Sequence, residues 1–289
     1  MSVTIYVPGD AAALALGADD VAATISKAAA KQKIDLKIVR NGSRGLFWLE
    51  PLVEVVTEQG RVGYGAVTVT DVPSLFVANF TRGGKHPLFL GDIETLPYLA
   101  KQQRATMHRV GVIDPLSLED YKKHGGGKGL ELARSMTPAD IVRLITDSGL
   151  RGRGGAAFPT GIKWKTVLDA HAQQKYIVCN ADEGDSGTFS DRMLMEGDPF
   201  CLIEGMAIAG LAVGANKGYI YVRSEYPHAI ATLNTALKSS GDWLGDFEIE
   251  VRKAAGAYVC GEETALLESI EGRKGQPRSK PPFPAVEGL

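Results

Sequence analysis

The segment 149–164, GLRGRGGAAFPTGIKW, constrains this chain more than any other. It holds five glycines, two arginines and one lysine. Backbone amides in a glycine-rich turn can approach an anion without obstruction by Cβ atoms. Arg151, Arg153 and Lys163 add positive charge that suits a phosphate. The segment therefore predicts a binding site for a phosphorylated cofactor.

Two common phosphate-binding loops do not account for this segment. It contains no G-x-x-x-x-G-K-[ST] sequence, which excludes a Walker A loop. Gly152, Gly154 and Ala157 fit the G-x-G-x-x-A pattern of dinucleotide-binding proteins, but that pattern follows a strand. The preceding segment, 137–150, predicts a helix instead, so we interpret the match as coincidental.

The helix before the glycine-rich segment has clear start and stop signals. Thr137 suits the N-cap, Pro138 suits the first helical position, and Asp140 occupies the third position of a capping box. Gly149 is the residue type expected just past the helix C-terminus. The glycine-rich segment is therefore predicted to follow a helix and not a strand.

Composition narrows the class of protein. A length of 289 residues suits one large or two modest domains, and a net charge of −2 argues against a nucleic-acid or membrane-surface partner. The N-terminal sequence MSVTIYVPGD lacks the features of a signal peptide and predicts a first strand. Cys179, Cys201 and Cys260 lack metal-ligand spacing, so we expect small buried side chains, no metal site and a cytoplasmic protein.

Hydrophobic periodicity predicts an α/β fold with a change of pattern along the chain. Residues 1–80 predict a small α/β domain with a strand, a helix, a strand and a hairpin. Residues 81–129 are rich in Gly, Pro and charge and predict a connector that is not a packed unit. Residues 130–289 alternate between helices and strands, which is typical of an α/β sheet.

A second polar cluster, NADEGDSGTFSDR at 180–192, directly follows the predicted strand KYIVCN. Ligands of α/β proteins bind at such strand ends. The amide of Asn180 offers a donor and an acceptor, as a flavin edge or a ribose requires, and Asp182, Glu183 and Asp185 could accept hydrogen bonds from hydroxyl groups. Taken alone, the cluster is more simply interpreted as an acidic surface turn.

A third cluster, AGAYVCGEETALLESIEG at 255–272, places Tyr258 before a Gly-Glu-Glu turn that opens a helix. The helix dipole accounts for one of the two glutamates as a cap. The basic, proline-rich tail at 272–289 carries Lys280, which suits a nucleotide phosphate, and Phe283, which suits stacking on a base or nicotinamide. Each cluster is a weak signal alone, and together they are a strong one.

In this order and spacing, the four motifs closely resemble the NADH-binding flavoprotein subunit of respiratory complex I. They equally resemble the diaphorase subunits of soluble NAD-dependent formate dehydrogenases and of NAD-reducing hydrogenases. The resemblance covers about residues 115–289. It implies an FMN-binding α/β domain of the complex I flavoprotein type, with FMN and NAD as cofactors.

The resemblance also implies four sets of site residues: at the FMN phosphate, at the flavin and its ribityl chain, in the turn between flavin and nicotinamide, and in the NADH pocket. The first set is Gly152, Arg153, Gly154 and Lys163, the second Asn180, Asp182 and Glu183, the third Tyr258, Gly261, Glu262 and Glu263, and the fourth Phe158, Asp185, Lys280 and Phe283. Glu263 is implied to lie near the nicotinamide and to contact NAD. No residue is implied as an acid or base in the hydride step.

The N-terminal domain resembles the thioredoxin-like module that carries a 2Fe–2S cluster in a neighbouring complex I subunit. That module has two cysteines four residues apart ahead of a proline. The equivalent run here, NGSRGLFWLEP, has Ser43 and Phe47 at those places, and neither provides a thiolate for iron. The resemblance thus implies a cluster-free docking domain, as in the beta subunit of formate dehydrogenase and in related hydrogenase diaphorases.

The resemblance predicts hydride exchange between NAD(H) and FMN and electron transfer with iron–sulfur clusters, in a formate dehydrogenase that reduces NAD⁺. The alternatives are the diaphorase of a NAD-reducing hydrogenase and a non-catalytic assembly subunit with a decayed flavin site. Expected partners are a thioredoxin-like 2Fe–2S gamma subunit and an alpha subunit with molybdenum and iron–sulfur clusters. The sequence stops at VEGL, before the family's asparagine-rich FMN motif, so we expect a fragment whose ubiquitin-like and 4Fe–4S domains are missing.

Overall fold

The computed structural model of the protein describes residues 2–289. Its chain divides into two compact units. Unit 1 extends to Asp120 and includes Glu196–Asp198, and unit 2 comprises Tyr121–Met195 and Pro199–Leu289. Each unit has its own sheet.

Unit 1 is built on a five-stranded sheet of order β2-β1-β3-β4-β5. Strands β1 and β2 are parallel, whereas the β1–β3, β3–β4 and β4–β5 pairs are antiparallel. The predicted strand, helix, strand and hairpin are therefore confirmed in this region. The elements are β1 (Val3–Tyr6), α1 (Ala11–Ala15), α2 (Ala18–Lys31), β2 (Leu36–Val39), β3 (Val53–Thr57), β4 (Gly60–Tyr64), α3 (Val72–Val77), β5 (Phe89–Asp92), α4 (Pro97–Ala100) and α5 (Leu118–Lys123), the last of which ends in unit 2.

The amphipathic helix α2 covers this sheet. Its side chains Val21 and Ile25 are buried together with Ile5 of β1 and Val55 of β3. Burial of each such aliphatic side chain contributes about 1.5–3 kcal/mol, which is what holds helix and sheet together. The alternation of apolar residues along β1 and β3 fixes which face of the sheet meets the helix.

Residues 81–129, which the sequence predicts as a connector that is not a packed unit, differ most from the predicted structure. Strand β5 pairs with β4 through Val62 and Asp92, and Gly63 and Gly91, so it extends the sheet of unit 1. Ile93, Leu99, Val110 and Ile113 are buried. The prediction of a connector that is not a packed unit is therefore wrong for residues 89–113, because the Gly- and Pro-rich composition conceals a short edge strand.

Unit 2 contains a parallel sheet of order β6-β7-β8 with helices between the strands. The predicted α/β fold is confirmed. The elements are α6 (Lys128–Arg134), α7 (Pro138–Asp147), α8 (Thr160–Asp169), β6 (Tyr176–Ala181), α9 (Ser190–Gly197), α10 (Pro199–Val213), β7 (Lys217–Val222), α11 (Pro227–Leu244), β8 (Glu248–Lys253) and α12 (Glu263–Ile270). Short 3₁₀ helices lie at Phe47–Leu49, Val69–Asp71, Phe80–Arg82, Ile93–Thr95 and Tyr258–Gly261.

The parallel arrangement positions the polar segments of unit 2. The register pairs Ala181 of β6 with Val222 of β7 and Val222 with Lys253 of β8, so the three strands end at one edge. Chains that leave parallel strands at the same edge lie side by side. The segment after β6 is the second polar cluster, and the segment after β8 leads into the third.

Helix α7 has the predicted boundaries. The Thr137 hydroxyl oxygen accepts the Asp140 N–H at 3.2 Å, and Pro138 opens the helix. Gly149 follows the C-cap with φ +68°, a left-handed conformation that favours glycine. Since a helix precedes the glycine-rich segment, the interpretation of the G-x-G-x-x-A match as coincidental is confirmed.

Three further observations concern cysteines, metals and membranes. The cysteines form no disulfide; Cys260 is buried, and Cys179 and Cys201 are half-buried. Within residues 2–289, no three His, Cys, Asp or Glu side chains are grouped so that they could hold a metal ion. Over the same residues, every helix is too short or too polar to cross a membrane.

Candidate functional site

The glycine-rich segment forms an exposed loop closed at its base. The Gly152 N–H donates to the Phe158 carbonyl at 2.9 Å, and the Thr160 N–H donates to the Leu150 carbonyl at 2.9 Å. Between these bonds, a Cβ added at Gly154 or Gly155 would meet no atom within 4 Å. The backbone at the tip is therefore uncovered and accessible to an anion.

The loop leads directly into helix α8, whose N-terminus has no side-chain cap. Pro159 occupies the N-cap and offers no side-chain acceptor, so no N-cap side chain covers the positive end of the helix dipole. A Cβ at Gly161 would lie 2.6 Å from the Cα of Thr146, so only glycine lets α8 begin this close to α7. Lys163 lies in the first turn. These are the features that favour a phosphate.

The second and third polar clusters are in direct contact. The Asn180 amide Nδ2 donates to the Gly261 carbonyl at 2.8 Å. The Tyr258 hydroxyl donates to Asp185 Oδ1 at 2.7 Å. The Tyr258 ring packs so closely on Gly184 that a Cβ there would lie 2.7 Å from Cδ2 of the ring. Two segments about eighty residues apart in sequence therefore form one surface.

The Glu183 side chain is fixed by hydrogen bonds within unit 2. Its carboxylate accepts the N–H groups of Asp191 at 3.0 Å and Arg192 at 3.2 Å, at the start of α9, and the Tyr226 hydroxyl at 3.1 Å. Arg223 donates to the Glu183 carbonyl. The sequence analysis missed Arg223 and Tyr226. Both follow β7, which ends at the same edge of the sheet as β6, the strand before the second cluster.

A cluster of two lysines and two glutamates joins the remaining segments. Lys280 Nζ in the tail lies 2.8 Å from Glu262 Oε1 and 2.8 Å from Glu263 Oε1. Lys163 Nζ on α8 lies 3.7 Å from Glu263 Oε2. Glu262 is also the N-cap of α12 and accepts the Thr264 N–H at 2.8 Å, as the dipole argument predicts for one glutamate. We call these four side chains the Lys-Glu cluster.

Glu262 and Asp182 are among the carboxyl groups of this region whose pKa values are shifted. Partial burial tends to raise the pKa of Glu262, but hydrogen bonds from Lys280, Thr264 and Ala265 outweigh it and hold the value at about 2. Burial raises the pKa of Asp182, opposed by the positive charge of Arg223. Glu262 is therefore ionised at neutral pH and keeps its negative charge next to Lys280.

Not every predicted site residue is drawn into these contacts. Among the residues that the structure describes, Arg153 forms no ion pair, and the exposed rings of Phe158 and Phe283 contact no other ring. Exposed aromatic rings and an unpaired guanidinium are available to a ligand. The predicted residues that contact at least one other predicted residue are Gly152, Phe158, Lys163, Asn180, Asp182, Asp185, Tyr258, Gly261, Glu262, Glu263 and Lys280.

Comparison with known protein families gives a match over residues 145–289, to the complex I 51 kDa family described as the Nuo51 FMN-binding domain. The chain belongs to this flavoprotein family. The matched region begins in α7 and includes the glycine-rich loop, the second and third clusters and the tail. The predicted family and its FMN cofactor are thereby confirmed.

Individual relatives of this flavoprotein agree. The chain is 52% identical over 198 residues to the NADP-reducing hydrogenase subunit HndC of Solidesulfovibrio fructosivorans, covering 65% of this chain and 40% of the relative. It is 48% identical over 194 residues to a subunit of the NADH-quinone oxidoreductase of Rhizobium meliloti strain 1021, covering 63% and 46%. Thus the chain spans less than half the length of these relatives.

A solved structure resembles the chain over almost its whole length. The crystal structure of NAD⁺-reducing [NiFe]-hydrogenase in the H2-reduced state matches with a TM-score of 0.54 and 28% identity. The match covers 99% of this flavoprotein and 48% of that chain.

The residues of the site fit FMN. A phosphate requires uncovered amides and cations, and the loop tip at Gly154, the uncapped start of α8 and Lys163 provide them. A flavin ring and its hydroxyl chain require neutral and acidic hydrogen-bonding groups, which Asn180 and Asp182 provide after β6.

Proposed function

We propose that this flavoprotein is the module in which NAD(H) and FMN exchange a hydride within a larger oxidoreductase. One observation carries the proposal: the Lys-Glu cluster and the contact between Asn180 and Gly261 join the four motifs in unit 2. When bound, FMN accepts a hydride as an electron pair and can release the electrons singly. The protein itself binds and orients the two cofactors.

In this proposal the FMN phosphate is held by the loop and the start of α8. The Gly154 amide and the cations Arg153 and Lys163 would surround it, whereas the Gly152 N–H donates to the Phe158 carbonyl and closes the base of the loop. The phosphate takes the position of the missing α8 cap, so the helix dipole and Lys163 act on the same anion.

The flavin and its ribityl chain are proposed to bind after β6. Asn180 and Asp182 donate and accept hydrogen bonds there. The carboxylate of Glu183 already accepts two N–H groups of α9 and one hydroxyl. We therefore propose that Glu183 serves this set chiefly as a positioning residue that fixes the loop after β6.

NAD(H) is proposed to bind across the turn at Tyr258–Gly261 and the tail. The exposed rings of Phe158 and Phe283 can stack on its bases, and Lys280 can contact its phosphates. Tyr258, Asp185 and Glu263 border the nicotinamide in this arrangement. None of them transfers a proton in the hydride step, since hydride transfer between the two cofactors needs orientation rather than acid–base catalysis.

The test is flavin binding by the full 289-residue chain. FMN fluorescence should be quenched saturably, and anaerobic NADH should bleach the flavin absorbance of the complex. Lys163→Ala should weaken FMN binding roughly 10- to 100-fold, because a charge-assisted contact contributes about 1.5–3 kcal/mol. Lys165→Ala, which alters the neighbouring exposed pair with Asp169, should leave binding unchanged.

Two outcomes would contradict the proposal. A folded parent chain that does not bind FMN would favour the second alternative, an assembly subunit with a decayed flavin site. Equal FMN affinity in the Lys163→Ala variant and the parent would contradict the position proposed for the phosphate.

We also propose which enzyme complex contains this module. The cluster-free N-terminal domain favours a formate dehydrogenase, in which electrons run from a molybdenum subunit through iron–sulfur clusters to this module. The resemblance to hydrogenase subunits supports the alternative, an NAD-reducing hydrogenase. Purification of the tagged chain from its source, followed by metal analysis, separates molybdenum from nickel as the metal that co-purifies. A cytoplasmic location stays a prediction.

We also propose that unit 1 is a thioredoxin-like docking domain that contacts an iron–sulfur subunit. The proposal is supported by the parallel β1–β2 pair around α2, followed by the antiparallel strands β3 and β4. At the place of the cluster cysteines, Ser43 donates to buried Glu50 and Phe47 opens a 3₁₀ helix. These side chains offer no thiolate for iron.

A further inference from the structure

We propose that the Glu263 carboxylate pairs with Lys163 in the cofactor-free protein and that the cofactor phosphate displaces it. Glu263 then stays paired with Lys280. This inference rests on the proposed function, because it concerns the same phosphate site. It makes Glu263 a residue that sets phosphate affinity, in addition to its position beside NAD(H).

The geometry assigns Glu263 to both lysines at once. Its Oε1 lies 2.8 Å from Lys280 Nζ, and its Oε2 lies 3.7 Å from Lys163 Nζ. Lys163 comes from the helix after the glycine-rich loop, whereas Lys280 comes from the tail. One carboxylate therefore connects the phosphate-binding element to a second, independent cation.

Glu262 cannot take this role, although it is adjacent. Its Oε2 accepts the Thr264 N–H at 2.8 Å and the Ala265 N–H at 2.9 Å, which fixes the side chain as the cap of α12. Glu263 lies inside the helix and has no capping bond. Its only side-chain partners in residues 2–289 are the two lysines. Of the two carboxylates, Glu263 is the one that can release a lysine without exposing a helix end.

The relative strengths of the contacts favour an exchange. The Lys163 and Glu263 side chains are 52% and 42% exposed, and ion pairs of this kind contribute less than about 1 kcal/mol. A charge-assisted bond from Lys163 to a phosphate is stronger and is assisted by the α8 dipole. The phosphate therefore displaces Glu263 from Lys163. Because Lys280 remains within hydrogen-bonding distance, Glu263 does not become an unpaired charge beside the incoming anion.

The test compares FMN with riboflavin, which has the same ring and no phosphate, by fluorescence titration of the full chain. Glu263→Gln should tighten FMN binding about 2- to 5-fold, since it removes a competitor worth less than about 1 kcal/mol. Riboflavin binding should not change. Glu131→Gln, which removes the same charge from the exposed face of α6, is the matched control and should change neither affinity.

A second variant tests the part assigned to Lys280. Lys280→Met should weaken FMN binding about 2- to 5-fold, because Glu263 then has only Lys163 as a partner. The double variant Lys280→Met/Glu263→Gln should recover at least the parent affinity. A merely structural role of Lys280 would leave the double variant as weak as the single one.

The outcomes separate this inference from the proposed function. If the parent binds FMN and Glu263→Gln binds it equally or more weakly, the inference is wrong and the proposed function stands. Equal tightening of FMN and riboflavin would also overturn it, because the effect would not depend on the phosphate. If the parent binds no FMN, the proposed function and this inference both fail.

Discussion

A buried ion pair in unit 1 and an exposed ion pair in unit 2 lie in opposite environments. In unit 1, Arg44 Nε lies 2.6 Å from Glu54 Oε1, with side chains only 1% and 0% exposed. In unit 2, Lys163 and Glu263 are about half exposed at 3.7 Å. Removing one partner of a buried pair leaves an unpaired charge away from water, whereas an exposed pair separates at little cost. The Arg44–Glu54 pair therefore holds the fold of unit 1, whereas the charges in the Lys-Glu cluster remain available to a ligand.

Substitution of Arg44 tests this comparison with the largest expected effect. Arg44→Met should lower the free energy of unfolding by about 3–5 kcal/mol, because the fully buried Glu54 then keeps only the longer 3.5 Å contact with Arg61. Chemical denaturation followed by circular dichroism measures the change. Arg143→Met is the control: its 71% exposed side chain pairs with Asp140, and we expect a loss within about 0.5 kcal/mol. Similar losses in the two variants would remove the distinction between buried and exposed pairs.

A buried carboxyl group gives unit 1 a pH dependence. Burial raises the pKa of Glu50 from 4.5 to about 7, against hydrogen bonds from Ser43 and Leu52 that tend to lower it. Because the folded pKa exceeds the unfolded one, this group's contribution to stability is complete below pH 4.5 and is lost as the pH rises to about 7. The loss is on the order of 3 kcal/mol, because each pKa unit corresponds to about 1.4 kcal/mol.

Glu50→Gln should remove this dependence, since the amide stays neutral at every pH in the window. Denaturation curves at several pH values should show that the parent loses stability towards neutral pH relative to the variant. Glu58→Gln, which removes a carboxyl group at an exposed position after β3, is the control, and the pH dependence of its stability should match that of the parent. A constant difference between parent and Glu50→Gln across the window would mean that Glu50 titrates normally.

Close packing rather than charge positions the glycine-rich loop. Gly161→Ala should destabilise the protein by about 1–3 kcal/mol and weaken FMN binding, because the new Cβ would lie 2.6 Å from the Thr146 Cα and would push α8 from α7. Gly205→Ala is the matched control in helix α10, where a Cβ meets no atom within 4 Å. Alanine favours helices over glycine, so Gly205→Ala should be neutral or stabilising. Equal effects would show that the α7–α8 approach does not require glycine.

The sequence predicts features that are determined locally. Thr137, Pro138 and Asp140 specify the start of α7, and Gly149 specifies its end, because capping depends on residues within one turn. The strands of unit 2 follow from apolar runs. The contacts of the site follow indirectly, since segments that leave parallel strands at one edge must meet.

Features that depend on distant partners could not be predicted in the same way. Strand β5 becomes a strand by pairing with β4, although its own composition suggests a loop. The role of Arg223 depends on the Glu183 carbonyl, and the sharing of Glu263 by Lys163 and Lys280 depends on three separate elements. Long side chains reach such partners only after packing has fixed the backbone, so spacing along the chain carries no signal for them.

The smallest effect compares two tyrosines within unit 2. Tyr258 is 72% exposed and donates to Asp185, whereas Tyr226 is 8% exposed and donates to Glu183. Tyr226→Phe should cost about 1 kcal/mol of stability, because it leaves a partly buried carboxylate short of one donor. Tyr258→Phe should cost less than about 0.5 kcal/mol, since water replaces the lost bond and the ring still packs on Gly184. Thermal denaturation of both variants measures the two losses of stability. An equal or larger loss for Tyr258→Phe would show that the exposed Tyr258–Asp185 hydrogen bond, unlike the exposed ion pairs beside it, holds the two loops together.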